Sequence, residues 1–290
     1  MRKHLLRKMY NKALTTAFYY RYKIKHPELR TILNNKKFEN CHAGERCFIL
    51  GNGPSLKMED LSLLRDEIVF TVNQATRIPQ FRELKSNYHF WADQNFFKID
   101  ENKPEDMELL QTMCAVADGN PELECFFPIV QYDFVKKFHL DEKMHVNYFY
   151  TGDIMRDDFR GRIDFTKPVF GFGTVVQWCI TLAVYMGFSE IYLLGCDNTH
   201  IITTIKSVLH RNDDADYAYA VSENEKKRME KMLAASSLEA YLGSYLRTLQ
   251  EYRRLYRYCT DKNITLVNCS AETVLDSIPR KRLTDVLLPE

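Results

Sequence analysis

The chain has 290 residues, a formal net charge of +1 and the apolar fraction of a soluble globular protein. It can bury a full core, nothing in its overall charge points to nucleic acid, and no uninterrupted apolar run reaches the ~18 residues that cross a bilayer. Eight cysteines, at 41, 47, 114, 125, 179, 196, 259 and 269, are scattered without a Cys-x-x-Cys pair. They fit reduced cytosolic thiols better than a disulfide framework or a zinc site.

Residues 1–40 hold eleven Lys or Arg against two acids. Leu5, Leu6, Met9, Tyr10, Leu14 and Phe18 recur at helical spacing and predict a basic amphipathic helix over 1–25. Such a helix lies on an anionic membrane surface or docks on its own domain. No signal peptide is visible in it, which places the protein in the cytoplasm, with peripheral contact to the inner face of a membrane through residues 1–25. His26-Pro27 ends the helix, and residues 41–290 are read as the domain proper.

The run Arg46 to Lys57 organises the rest of the chain. Cys47 to Leu50 reads as a strand buried on both faces. Gly51-Asn52-Gly53 lets the backbone turn and approach a ligand closely, and Pro54-Ser55 opens a helix over 56–64. Strand, glycine turn and helix start together point backbone N–H groups at an anion. The same residues also suit a plain strand-to-turn junction. Neither Gly-x-x-x-x-Gly-Lys-Ser/Thr nor Gly-x-Gly-x-x-Gly is present.

Further strands are predicted at Ile68–Val72, ending in Asn73-Gln74, and at Tyr88–Ala92, ending in Asp93-Gln94. An acidic exposed helix comes next over 100–110, and another strand over 123–129. Residues 131–164 carry no clear pattern. Gly171-Phe172-Gly173-Thr174 is a second glycine-rich turn, opening an apolar helix over 175–186 that Gly187 caps. The strand at Glu190–Gly195 ends in Cys196-Asp197-Asn198-Thr199-His200. Residues 201–240 contain a polar, turn-rich insert placed like a lid, residues 225–259 read as two helices, and Ile264–Asn268 is the last strand. Ser270 to Val274 reads as a helix start. Strands alternating with helices give a Rossmann-like α/β fold with a mostly parallel sheet. Polar residues just past parallel strands face the crevice where such sheets bind ligands, and four strand endings of this kind indicate one site.

The segments Phe48-Ile-Leu-Gly-Asn-Gly-Pro-Ser-Leu-Lys57, Val72-Asn73-Gln74 and Gly187-Phe-Ser-Glu-Ile-Tyr-Leu-Leu-Gly-Cys-Asp197 resemble two related groups. One is the bacterial sialyltransferases of glycosyltransferase family 42, which use a CMP-activated sugar. The other is the wider family that contains 6-hydroxymethylpterin diphosphokinase and the flagellin motility-associated factors. The resemblance covers roughly residues 46–200 and implies a nucleotide site. In it Gly51, Asn52, Gly53 and Ser55 hold the phosphate and ribose, Asn73 contacts phosphate or sugar, and Gly173 and Thr174 lie near base and ribose. Pro54, Gln74 and Asp93 are added from their places beside these residues.

The resembled sialyltransferases carry a histidine base in a Tyr-x-Gly-His segment, where this chain has Tyr241-Leu-Gly-Ser244. Serine has no pKa near neutrality and cannot replace it. His200 and Asp197 are therefore the candidate bases, with His210 a weaker one. The expected function is a glycosyltransferase joining a nucleotide-sugar donor to a glycan acceptor in surface polysaccharide or glycolipid assembly, with no resident cofactor. The alternatives are a diphosphokinase using Mg2+ held by Asp93 and Asp197, and a non-catalytic nucleotide-binding relative.

Overall fold

A computed structural model of the protein describes residues 26–208, 218–234 and 237–287. The predicted amphipathic helix over 1–25 and His210 lie outside the described residues. Among the described residues no helix is long and apolar enough to cross a membrane.

The main sheet has seven strands: β1 (Arg46–Leu50), β2 (Ile68–Val72), β3 (Tyr88–Phe90), β4 (Glu124–Pro128), β5 (His145–Phe149), β8 (Glu190–Leu194) and β9 (Thr265–Asn268). A separate two-stranded sheet pairs β6 (Thr151–Ile154) with β7 (Val169–Gly171). The order of the main sheet is β5-β4-β3-β2-β1-β8-β9, and every pairing is parallel. The predicted Rossmann-like α/β class is what the chain adopts.

The absence of polar alternation in the strands has a direct cause. Cys47 and Ile49 of β1 face one hydrophobic layer with Phe70, Phe90, Phe126, Ile191 and Leu193. Phe48 and Leu50 face the opposite layer with Val69, Phe127, Tyr192 and Leu194. Both faces are covered, so each strand is apolar throughout.

The helices are α1 (Phe81–Leu84), α2 (Pro104–Cys114), α3 (Tyr132–Lys137), α4 (Val175–Met186), α5 (His200–Val208), α6 (Glu223–Ala234), α7 (Leu238–Asp261) and α8 (Leu283–Leu287). The bounds of α4 match expectation, with Gly187 in the left-handed conformation (φ 90°) as its cap. Several expectations do not hold. The helix predicted over 56–64 is two short 3-10 turns, Pro54–Met58 and Leu61–Leu64, because Asp60 caps a second start at Ser62. The acidic helix begins at Pro104, and its Leu109, Met113 and even Asp106 are buried. Residues 201–208, read as the start of a turn-rich insert, lie in α5. Ser270 to Val274 is not helical; Ser270 and Thr273 side chains bond the backbone instead.

Residues 27–38, assigned from sequence to a separate N-terminal segment, belong to the domain. They form a 3-10 helix whose Leu29, Ile32 and Phe38 are buried. The buried Asn35 amide donates to the Tyr148 carbonyl at 2.8 Å and the Phe165 carbonyl at 3.0 Å.

One buried group links the sheet to solution conditions. His89 on β3 is fully buried, with Nδ1 2.8 Å from Thr71 Oγ1, and burial pushes its pKa down from 6.5 to about 3. As pH falls from 6.5 towards 3 the unfolded chain takes a proton that the folded chain refuses, so this group removes stability on acidification. The expected slope from His89 is about 1.4 kcal/mol per pH unit in that window. Denaturant titrations at pH 7, 5.5 and 4.5 should show a shallower decline in a His89→Gln variant, and equal slopes would refute the assignment.

Candidate functional site

The strand order reverses at β1, which has β2 on one side and β8 on the other. A crevice opens beyond the carboxyl ends of parallel strands at such a switch point. Residues 51–55 follow β1, Asn73 and Gln74 follow β2 and Asp197 follows β8, but the turn after β1 is not an open anion cradle. Gly51 N–H donates to the Leu194 carbonyl and Gly53 N–H to the Gly195 carbonyl, both at 2.8 Å. The Asp197 carboxylate accepts from Ser55 N–H at 2.8 Å and from Ser55 Oγ at 2.5 Å. The donors at Gly51, Gly53 and Ser55 are thus taken by β8 and the residues after it. Ser55 does not cap the turn at Pro54; Asp197, brought from another strand, does.

The glycines answer to the same contact. A Cβ on Gly51 would collide with the Gly195 carbonyl, and one on Gly53 would lie 2.5 Å from Asp197 Cγ and 2.6 Å from the Gly195 oxygen. Gly195 has φ 58°, and a Cβ there would meet Leu56. The close approach that two glycines in three residues permit is therefore to the neighbouring strand.

Asp197 is 2% exposed. Its backbone is also held, since Val274 N–H donates to its carbonyl, and Thr273 Oγ1 and Ser270 Oγ bond Cys196. The reading of Asp197 as a base is corrected: its carboxylate closes the β1–β8 junction. Asp93 caps the turn over 94–97, its Oδ1 accepting from Asn95 N–H at 2.9 Å. Both carboxylates considered for Mg2+ are thus engaged by protein donors, and among the described residues no group of three His, Cys, Asp or Glu is placed to hold a metal ion.

Gln74 is corrected too. It is buried and turned towards the insert, its amide donating to Glu225 on α6 at 2.6 Å and its oxygen accepting from Arg77 at 2.6 Å. Arg228 of α6 pairs with Asp106 of α2, while Ser222 and Asn224 bond Glu108. A buried polar seam thus seats α6 against the end of β2.

The groups left at the edge are amides and hydroxyls. Asn52 donates to the Val72 carbonyl at 3.1 Å, and among the described residues its Oδ1 has no partner. Asn73 comes directly after β2 with φ 48°, and Asn198 lies beyond β8 with φ 53°. Thr174 begins α4 in a reciprocal capping box with Gln177, and its Oγ1 lies 3.0 Å from the Tyr252 hydroxyl. Tyr245 donates to the Asn198 carbonyl at 2.8 Å. Gly173 N–H donates to Glu251 at 2.7 Å.

His200 starts α5 and is exposed. Its ring meets Tyr241 and Tyr245 edge-on, with centroids at 5.8 and 5.2 Å, and desolvation lowers its pKa. Ser244 is exposed on the same helix as those tyrosines. The residues that sequence reasoning missed, Tyr245, Glu251 and Tyr252, lie on α7 together with Tyr241 and Ser244. A tyrosine at helical spacing reads as packing, and a lone Glu in a charged helix carries no signal of burial.

The clamp makes its own prediction. Asp197→Ala should lower stability by roughly 1.5–3 kcal/mol or more, the range for losing a hydrogen bond to a charged acceptor, and Ser55→Ala by less. Gly53→Val should be at least as damaging as Asp197→Ala. Denaturant unfolding of the three variants checks this, and an unperturbed Gly53→Val would contradict the packing described.

Two solved structures are similar to the chain. A MAf glycosyltransferase from Magnetospirillum magneticum AMB-1 shares 14% identity at a TM-score of 0.46, over 88% of this chain and 38% of that one. This chain therefore spans well under half the length of that protein. The sialyltransferase CstII from Campylobacter jejuni, solved with cytidine-5'-monophosphate, shares 20% identity at a TM-score of 0.43, over 82% of this chain and 85% of that one. A search of curated proteins gives no match. A family profile does match, over residues 20–202 and so more than half of the chain. The chain belongs to the 6-hydroxymethylpterin diphosphokinase MptE-like family.

Proposed function

We propose that the protein is a glycosyltransferase that binds a nucleotide-activated sugar in the crevice beyond β1, β2 and β8 and transfers the sugar to a hydroxyl acceptor. The observation that carries this reading is the place of His200. Its ring packs against Tyr241 and Tyr245, which flank Ser244, the position where the resembled sialyltransferases keep their histidine base. A base brought from α5 to that segment restores the missing function. Desolvation favours the neutral imidazole, the form that accepts a proton. The acceptor hydroxyl attacks the anomeric carbon and His200 removes its proton as the nucleotide leaves. The amides of Asn52, Asn73 and Asn198 and the Thr174 hydroxyl suit phosphate oxygens and sugar hydroxyls. A lipid-linked or polysaccharide acceptor fits the same scheme.

The family itself favours a second reading, transfer of pyrophosphate from ATP to a small alcohol. A thermal-shift screen separates the two. CMP or UDP, or their sugars, should raise the melting temperature by a few degrees at saturating concentration. Preferential stabilisation by ATP with Mg2+ would overturn the glycosyltransferase reading.

With a donor in hand, His200→Ala should reduce turnover by ~10²-fold or more while nucleotide affinity stays near normal. Ser244→Ala should change little. In the wild type, kcat/KM should fall as pH drops through the His200 pKa, which lies below the usual 6.5, because the protonated ring cannot accept a proton. That acid limb should be absent from the residual activity of His200→Ala; a variant with full turnover and the same limb would remove His200 from the mechanism.

A further inference from the structure

Glu251 is the least expected group in the molecule. It sits in the interior of α7 and is completely buried. Its Oε2 accepts the Gly173 N–H at 2.7 Å. Its Oε1 makes no hydrogen bond, and Arg247 Nε lies 3.4 Å from it. Burying a carboxylate with so few partners is unfavourable, and burial raises its pKa against the opposing pull of Gly173 N–H, Arg247 and Arg254.

Around the loop it touches, several neutral hydrogen bonds accompany this charged one. Gly173 lies so close to α7 that a Cβ would collide with Thr248 Oγ1. The next residue, Thr174, bonds Tyr252 on the same helix, and Gln177 donates to the Thr248 carbonyl at 3.0 Å. One turn of α7 therefore sets the path of the loop between β7 and α4. A charge-assisted bond to a backbone N–H is roughly twice as strong as a neutral one, and it fixes a glycine whose own dihedral freedom would otherwise blur the loop.

We propose that Glu251 is the positioning residue that fixes the Gly171–Thr174 loop at the mouth of the crevice and so sets the geometry with which that loop meets the nucleotide. The second half of this inference rests on the nucleotide-sugar reading above.

The test compares Glu251→Ala, Glu251→Gln and the volume-conserving Glu251→Met in the full chain. Amide hydrogen exchange should show Gly173 exchanging at least tenfold faster in the Ala and Met variants, with amides in the middle of α4 and α7 unchanged. Gln keeps an acceptor and should restore most of the protection. Binding of the nucleotide found by the screen should weaken tenfold or more in Ala and Met and recover in Gln. Unchanged Gly173 exchange in Ala and Met, or a Gln variant as impaired as Met, would overturn the proposal. Faster exchange with unaltered nucleotide affinity would overturn its functional half. If no nucleotide binds the wild type, the functional reading falls, while the exchange data still decide whether Glu251 anchors the loop.

Discussion

The carboxylate of Asp197 closing on Ser55 is the contact on which the working edge of this protein depends. It joins the ends of β1 and β8 at the point where the sheet order reverses. The surrounding sequence is arranged to allow it. Gly51, Gly53 and Gly195 remove the side chains that would keep the two strand extensions apart. The segment 268–274 holds the backbone of Cys196 and Asp197 from the other side. A buried carboxylate is tolerated only where hydrogen bonds replace its hydration. Here the donors are those that an anion-binding turn would have offered to a ligand. The motif's glycines thus serve interstrand packing.

Helix α7 is the second organising element. It meets Asn198 through Tyr245, the Gly173 loop through Glu251, Thr174 through Tyr252, and His200 through Tyr241 and Tyr245. Segments far apart in the chain are set against one rigid surface, which suits a site needing fixed geometry. The insert helix α6 is seated differently, by buried charged and polar side chains over α2 and Gln74. Removing one partner from such a seam leaves the other buried and unpaired, so α6 is held in one registry.

Much of the fold was legible in the sequence because its physics is local. Short apolar runs bounded by glycines or polar residues identify strands covered on both faces, and the observed β1, β2, β4, β8 and β9 lie where those runs lie. The cap at Gly187 and the apolar α4 are equally local. The convergence of Gly51, Gly53, Ser55 and Asp197 came from the rule that parallel strands carry ligands at their carboxyl ends, and residues 51–55 do meet Asp197 directly.

Roles were not legible in the same way. A glycine required by an adjacent carbonyl and a glycine required by a phosphate are the same letter, and only the position of Gly195 and Asp197 separates them. Asp197 reads as a candidate base from its strand end. Its burial against Ser55, 142 residues away in the chain, is set by the pairing of β1 with β8. Gln74 reads as a ligand contact until α6 is placed over it. Glu251 and the tyrosines of α7 carry no local signal, because their burial depends on which loops the helix lies against. The sequence by itself determined β1 to β4, β8 and β9 and their alternation with helices, while β5 and β6 lay in a stretch without a clear pattern. Which side chains at the strand ends hold the framework, and which remain to meet a ligand, was decided by tertiary packing, since hydrogen-bond satisfaction is a property of neighbours in space.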